Sequence, residues 1–172
     1  MRIIRRQRGG CKRKAPAAGR RRRIPTSQAD LMATVRALVL RAPGANCDAE
    51  AAFAFEQAGA SSERLHINRI RESPAELSRF QILCVPGGFT YGDDVAAGKV
   101  LGVQLSRFLG DALRRFRDAG KLVLGVCNGF QALLKAGLLV PPDEEGPVAT
   151  LARNNHGRFE DRWVTLKAFP GK

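Results

Sequence analysis

KLVLGVCNGFQALLKAG, residues 121–137, is the stretch on which the fold turns. Lys121–Val126 is short and apolar, the composition of a buried strand. Gly125-Val126-Cys127-Asn128-Gly129 follows, and Asn128–Ala136 then reads as a helix closed by Gly137. A strand that turns at once into a helix through G-x-nucleophile-x-G is the elbow that lifts a nucleophile off the end of a sheet. Glycines on either side permit the sharp turn and a close backbone approach. Cys127 is the candidate nucleophile, and partial positive charge at a helix N-terminus favours a thiolate. The amide of Asn128, at the helix start, is a candidate oxyanion donor. An inert buried thiol at a strand end is the plainer alternative.

Upstream the same rhythm repeats. Val35–Leu40 is a β-rich apolar run, RAPGAN (41–46) a loop, and Asp48–Ala58 a helix with Gly59 as its C-cap. Arg64–Ile67 reads as a second strand and Glu72–Phe80 as a helical turn with Pro74 near its start. Gln81–Val85 is a buried strand that runs into PGGFTYGDD (86–94). Val100–Ala119 carries Leu101, Leu105, Phe108, Leu109, Ala112, Leu113 and Phe116 at helical spacing. Strands alternating with helices imply βαβ units, hence an α/β fold with an open, mainly parallel sheet and helices on both faces. The PGGFTYGDD loop then lies past a strand's carboxyl end, where such sheets bind ligands. Gly87-Gly88 would let a backbone amide approach a substrate as a second oxyanion donor, unless the segment is a plain turn. Beyond residue 140 the rhythm breaks: PPDEEGP is a loop, and ATLARNN and GRFEDRWVTLKA read as two strands with no closing helix.

Composition bounds the rest. The 172 residues are 44% hydrophobic and 26% charged, which excludes wholesale disorder and suits one domain. No apolar run reaches the ~18 residues of a membrane span, and no signal-peptide core is present, so the expectation is a soluble, cytoplasmic protein without a membrane role. Of the net charge of +13, +10 resides in residues 1–31, which lack hydrophobic periodicity and read as a basic disordered arm. Translation from Met32 would remove it; RNA binding or organelle targeting by the arm are the alternatives. The body, 32–172, carries only +3, which points away from nucleic acid. Cys11, Cys47, Cys84 and Cys127 form no CxxC pair, so zinc-ribbon and dithiol redox motifs are excluded; Cys47 and Cys84 read as loop or core thiols. Asp93-Asp94 and Asp143-Glu144-Glu145 read as solvated loops, with no metal site expected, and Arg114, Arg115 and Arg117 as a solvated helix face.

With these residues in view, GVCNGFQ (125–131) resembles the nucleophile motif of triad, or class I, glutamine amidotransferases. PGGFTYGDDVAAGK (86–99), PGANCD (43–48) and NNHGRFEDRW (154–163) narrow the resemblance to the glutaminase subunits of phosphoribosylformylglycinamidine synthases, enzymes of purine biosynthesis. It runs from about Val35 to about Lys167. The resemblance implies a flavodoxin-like sheet and a Cys127 that attacks the carboxamide of L-glutamine. Amides of Gly88 and Asn128 would hold the oxyanion; Gln131 and Gly87 would bind substrate. Ammonia would pass to a synthetase subunit, which alone would use ATP and Mg; a small accessory subunit is a further implied partner, and no cofactor is expected on this chain. No P-loop occurs in it.

The family's histidine and glutamate, one residue apart, lie downstream of the cysteine, and no H-x-E occurs here. His66 and His156 are the only histidines; His66 falls at a strand end, and His156 stands where the family commonly has serine. The expectation is a C-terminally truncated amidotransferase domain over 32–172, incomplete at its C-terminus and inactive alone. A non-catalytic docking remnant, or another cysteine hydrolase of related fold, are the competing readings.

Overall fold

The computed structural model describes residues 2–5, 34–165 and 167. Their elements run β1 (Arg2–Arg5), β2 (Arg36–Arg41), α1 (Asp48–Gln57), β3 (Ser61–His66), α2 (Ile67–Glu72), β4 (Ile82–Val85), α3 (Lys99–Asp118), β5 (Leu122–Gly125), α4 (Asn128–Lys135) and β6 (Ala149–Ala152). Two 3₁₀ turns, Pro74–Arg79 and Thr90–Asp93, interrupt the connections. Strands β2 to β5 form one parallel sheet in the order β3-β2-β4-β5. The chain thus steps from β2 to one neighbour, β3, then returns across β2 to build β4 and β5 on the other side. That reversal sets a topological switch point between the carboxyl ends of β2 and β4, where open α/β sheets form their crevices.

Period-two alternation divides the strands between two layers. Leu38 and Leu40 of β2 and Leu83 and Val85 of β4 join one core with Leu101, Leu105, Leu109, Leu113 and Phe116 of α3, and with Ala132 and Leu133 of α4. Ile67 and Ile70 of α2 and Phe80 belong to it as well. Val39 and Cys84 face the other way, against Ala52 of α1. Helices therefore cover both faces, in unequal measure. On the α1 side Leu122 and Leu124 of β5 are 64% and 46% exposed, because α1 packs on β2 and β3 and does not reach the β5 edge.

Five expectations change. Lys121–Val126, read as a buried strand, holds β5 with Leu122 and Leu124 exposed, because no helix covers that edge on the α1 side. Arg2–Arg5, read as part of a disordered arm, form β1 and pair antiparallel with β6, Arg2 opposite Ala152 and Arg5 opposite Ala149. A strand edge offers unpaired backbone groups to any extended segment, and β6 takes this one; the remainder of the arm, 6–31, lies outside the described residues. The strand expected over Arg64–Ile67 runs Ser61–His66, and Ile67–Glu72, where no helix was expected, forms α2; the helical turn expected over Glu72–Phe80 is the 3₁₀ turn Pro74–Arg79. Phe108, one of the apolar residues at helical spacing along α3, is 54% exposed and carries the Arg71 guanidinium 4.0 Å over its ring. GRFEDRWV forms no strand: residues 157–164 have no regular structure and Trp163 is fully exposed. Alternation makes a strand only where a neighbouring edge accepts its hydrogen bonds.

Candidate active site

Cys127 stands at the junction of β5 and α4 with φ 48° and ψ −110°, a backbone conformation that L-residues rarely adopt. Strain of this kind costs about 1–3 kcal/mol and persists only where the surroundings enforce it. They do so here through the two glycines. A Cβ on Gly129 would collide with the carbonyls of Val85 and Pro86, and one on Gly125 would meet Phe130 N at 2.8 Å. The Val126 amide donates to Val85 O at 3.1 Å, and the Gly129 amide donates to Val126 O at 2.8 Å. The turn is thereby clamped between β4 and α4, with the Cys127 side of it exposed.

The loop after β4 lies against this elbow. A methyl placed on Gly87 would lie 3.6 Å from the Cys127 Cβ, in ordinary contact, so this loop runs directly beside the elbow. Gly88, at φ 136°, packs against the 43–47 loop; a Cβ there would meet Gly44 O at 2.7 Å and Asn46 N at 2.8 Å. Phe89 N donates to Gly44 O and Tyr91 N to Pro43 O. PGAN and PGGFTY are thus laced together across the switch point. Tyr91, Asp93 and Val95 all have positive φ, which with Cys127 places every such non-glycine residue among the described ones in these two neighbouring turns.

One buried side chain ties the parts together. Asn128, 1% exposed, accepts from the Thr90 hydroxyl at 2.6 Å and the Thr90 amide at 3.2 Å. Its carboxamide nitrogen donates to Asp93 Oδ1 at 2.7 Å and to Gln131 Oε1 at 3.2 Å. Asp93 Oδ1 also accepts from the Gly98 amide at 2.9 Å. Sequence reasoning gave Asn128 a role only through its backbone and took Asp93 for loop solvation. The structure corrects the second: Asp93 caps the approach to α3 and holds the elbow's asparagine. No signal in the sequence announces a bond spanning 35 residues. Lys135, one turn beyond, donates to Ala97 O. Its pKa is lowered by burial and by neighbouring Lys99, an effect that Asp93 partly opposes.

The site residues Gly87, Gly88, Cys127, Asn128 and Gln131 are therefore brought to one end of the sheet. The histidines are engaged in local turns. His66 caps α2, its Nδ1 accepting from Asn68 N at 3.2 Å. His156 Nδ1 accepts from Arg158 N at 3.2 Å, while its Nε2 lies 3.5 Å from Glu160. Among the described residues no group of three or more His, Cys, Asp or Glu could hold a metal ion, and no helix is long and apolar enough to cross a membrane. A cleft of about 340 Å³ lined by Pro74, Ala75, Arg115, Phe116 and Lys121 flanks the start of β5, whereas the elbow follows that strand's carboxyl end.

An open parallel sheet with a strained cysteine elbow facing a glycine loop fits the amidotransferase class, and comparison with known proteins agrees. Residues 34–170 match the CobB/CobQ-like glutamine amidotransferase domain, and the chain belongs to that family. It is similar to phosphoribosylformylglycinamidine synthase subunit PurQ of Dehalococcoides mccartyi, with 49% identity over 139 residues, 81% of this chain and 54% of the relative. Subunit PurQ of Methanococcus maripaludis is 38% identical over 134 residues, 77% of this chain and 50% of that protein. The chain also superposes on the solved structure of PurLQS from Thermotoga maritima with a TM-score of 0.57 and 30% identity, covering 77% of this chain and 54% of that one. It spans about half the length of the curated relatives it matches.

Proposed function

We propose that this chain carries the nucleophile half of the glutaminase subunit of a phosphoribosylformylglycinamidine synthase, working in the cytoplasm in purine biosynthesis. The observation that carries the reading is the strained Cys127 elbow set against Gly87. The sulfur of Cys127 attacks the side-chain carbonyl carbon of L-glutamine, and the amides of Gly88 and Asn128 receive the oxyanion. Collapse breaks the carbon–nitrogen bond; nitrogen leaves as ammonia with one added proton, and a glutamyl thioester remains. Water then cleaves the thioester to glutamate and the free thiol. Gly87 gives the substrate room, and Gln131 holds its polar end. Ammonia passes to a synthetase subunit, which uses ATP and Mg to amidate formylglycinamide ribonucleotide; a small accessory subunit completes the assembly, and this chain binds no cofactor of its own.

Proton transfer needs an imidazole in hydrogen-bond reach of the thiol. With both histidines held in local turns, and no H-x-E in the sequence, the thiol's base is supplied from outside the described residues. The same observation favours a second reading, in which the chain binds glutamine or its synthetase without turnover.

Iodoacetamide mapping separates these. L-Glutamine should protect Cys127 from alkylation and leave Cys47 unprotected. Glutamate release that vanishes in Cys127→Ala establishes catalysis; protection without release establishes binding alone. Equal alkylation of Cys127 with and without glutamine overturns the reading.

A further inference from the structure

Cys47 has no part in the amidotransferase chemistry, yet it is placed beside the nucleophile. The point where a methyl on Gly87 would sit is 3.7 Å from Cys47 Sγ and 3.6 Å from the Cys127 Cβ. Both thiols are free and exposed. Cys47 follows the PGAN loop after β2, Gly87 follows β4 and Cys127 follows β5, so the sheet order β2-β4-β5 gathers both cysteines around one glycine. The contact partner of Cys47 Sγ is Asn46 Oδ1 at 3.4 Å, a weak bond within a loop. Cys84, the third described thiol, is buried against α1 and its pKa is pushed up to about 11 by burial, which removes it from competition.

We propose that Cys47 is a resolving thiol, and that a hydroperoxide converts the Cys47–Cys127 pair into a disulfide that switches the site off. The Cys127 thiolate attacks the terminal peroxide oxygen; the O–O bond breaks, and water or an alcohol departs. The resulting Cys127 sulfenic acid is attacked at sulfur by the Cys47 thiolate. The S–O bond breaks, a second water leaves, and the S–S bond forms. Two thiols are oxidised by two electrons in all, and the peroxide is reduced by the same two. A disulfide requires the two Cα atoms within about 4.4–6.8 Å, and oxidation would pin the 43–47 loop to the elbow at that separation. The bond consumes the sulfur of Cys127. A dithiol reductant restores it.

The switch stands apart from the glutaminase reading and is tested without it. The full chain, reduced, is treated with one equivalent of hydrogen peroxide, blocked with N-ethylmaleimide and mapped by peptide mass. A Cys47–Cys127 linked peptide is expected, with alkylation of Cys127 falling more than about tenfold and returning with dithiothreitol. In Cys47→Ser, Cys127 should instead be trapped by dimedone as the sulfenic acid. If wild-type Cys127 proceeds to sulfinic acid while Cys47 remains alkylatable, or pairs with Cys11 or Cys84, the proposal is overturned. Protection by glutamine is measured on the reduced sample first. A disulfide without protection sinks the glutaminase reading alone, and protection without a disulfide sinks the switch alone.

Discussion

The two faces of the parallel sheet obey the same alternation and have opposite fates. Toward α3 and α4 the strand residues Leu38, Leu40, Leu83 and Val85 are at most 3% exposed, sealed by a 20-residue helix whose leucines recur every fourth position. Toward α1 only Val39, Ala52 and Cys84 form a buried cluster, and the β5 leucines lie open. Both faces are apolar in sequence. What separates them is the number of helices that the connections deliver to each side. The elbow end gains from the closed side: α4 is held against the sheet by that core, and Asn128 and Gln131 ride on it.

If the closed face is the stabilising one, Leu105→Ala should produce the largest loss, about 2–5 kcal/mol in urea unfolding, since it empties a fully buried site. A loss under about 1 kcal/mol would mean the two faces are equivalent.

The small α1-side cluster is probed by pH. Burial raises the Cys84 thiol from near 9.0 to about 11, so the unfolded chain ionises first as pH rises. The stability it contributes is intact below pH 9, falls across the window from 9.0 to about 11, and stays lost above it. The decrement is about 2–3 kcal/mol. Denaturant midpoints of wild type and Cys84→Val should diverge only in that window; parallel curves would refute the assignment.

Asn128→Leu removes the link between the elbow and the 90–93 turn, and leaves the Thr90 hydroxyl and Asp93 without that partner. About 1–3 kcal/mol should be lost. Glutamine protection of Cys127 should weaken more than unfolding alone explains, visible by comparing protection at a temperature where the variant is fully folded. Protection equal to wild type would confine Asn128 to a structural role.

On the open face, Leu124→Ser should change stability by no more than about 0.5 kcal/mol, and should lower concentration-dependent association measured by sedimentation. A large destabilisation there would show that the β5 edge is packed after all.

Much of this was legible in the chain. Buried strands, the long amphipathic helix and the G-x-C-x-G turn are set by local spacing, glycine placement and apolar periodicity, all of which act over a few residues. The GRFEDRWV segment shows the limit of that reasoning: Phe159, Trp163 and Val164 suit a strand, but a strand exists only when another strand pairs with it. Asp93 looked like a solvated loop acid because its partner, Asn128, lies 35 residues on.

By itself, then, the sequence determined the fold class and the G-x-C-x-G turn that presents Cys127. Tertiary structure alone decided which face of the sheet is closed, which polar side chains brace the elbow, and that Cys47 and Cys127 both border Gly87. The physical reason is one of range. Backbone preference and burial pattern are properties of neighbouring residues, whereas strand order sets which distant loops share an edge, and only that arrangement brings a second thiol to the first.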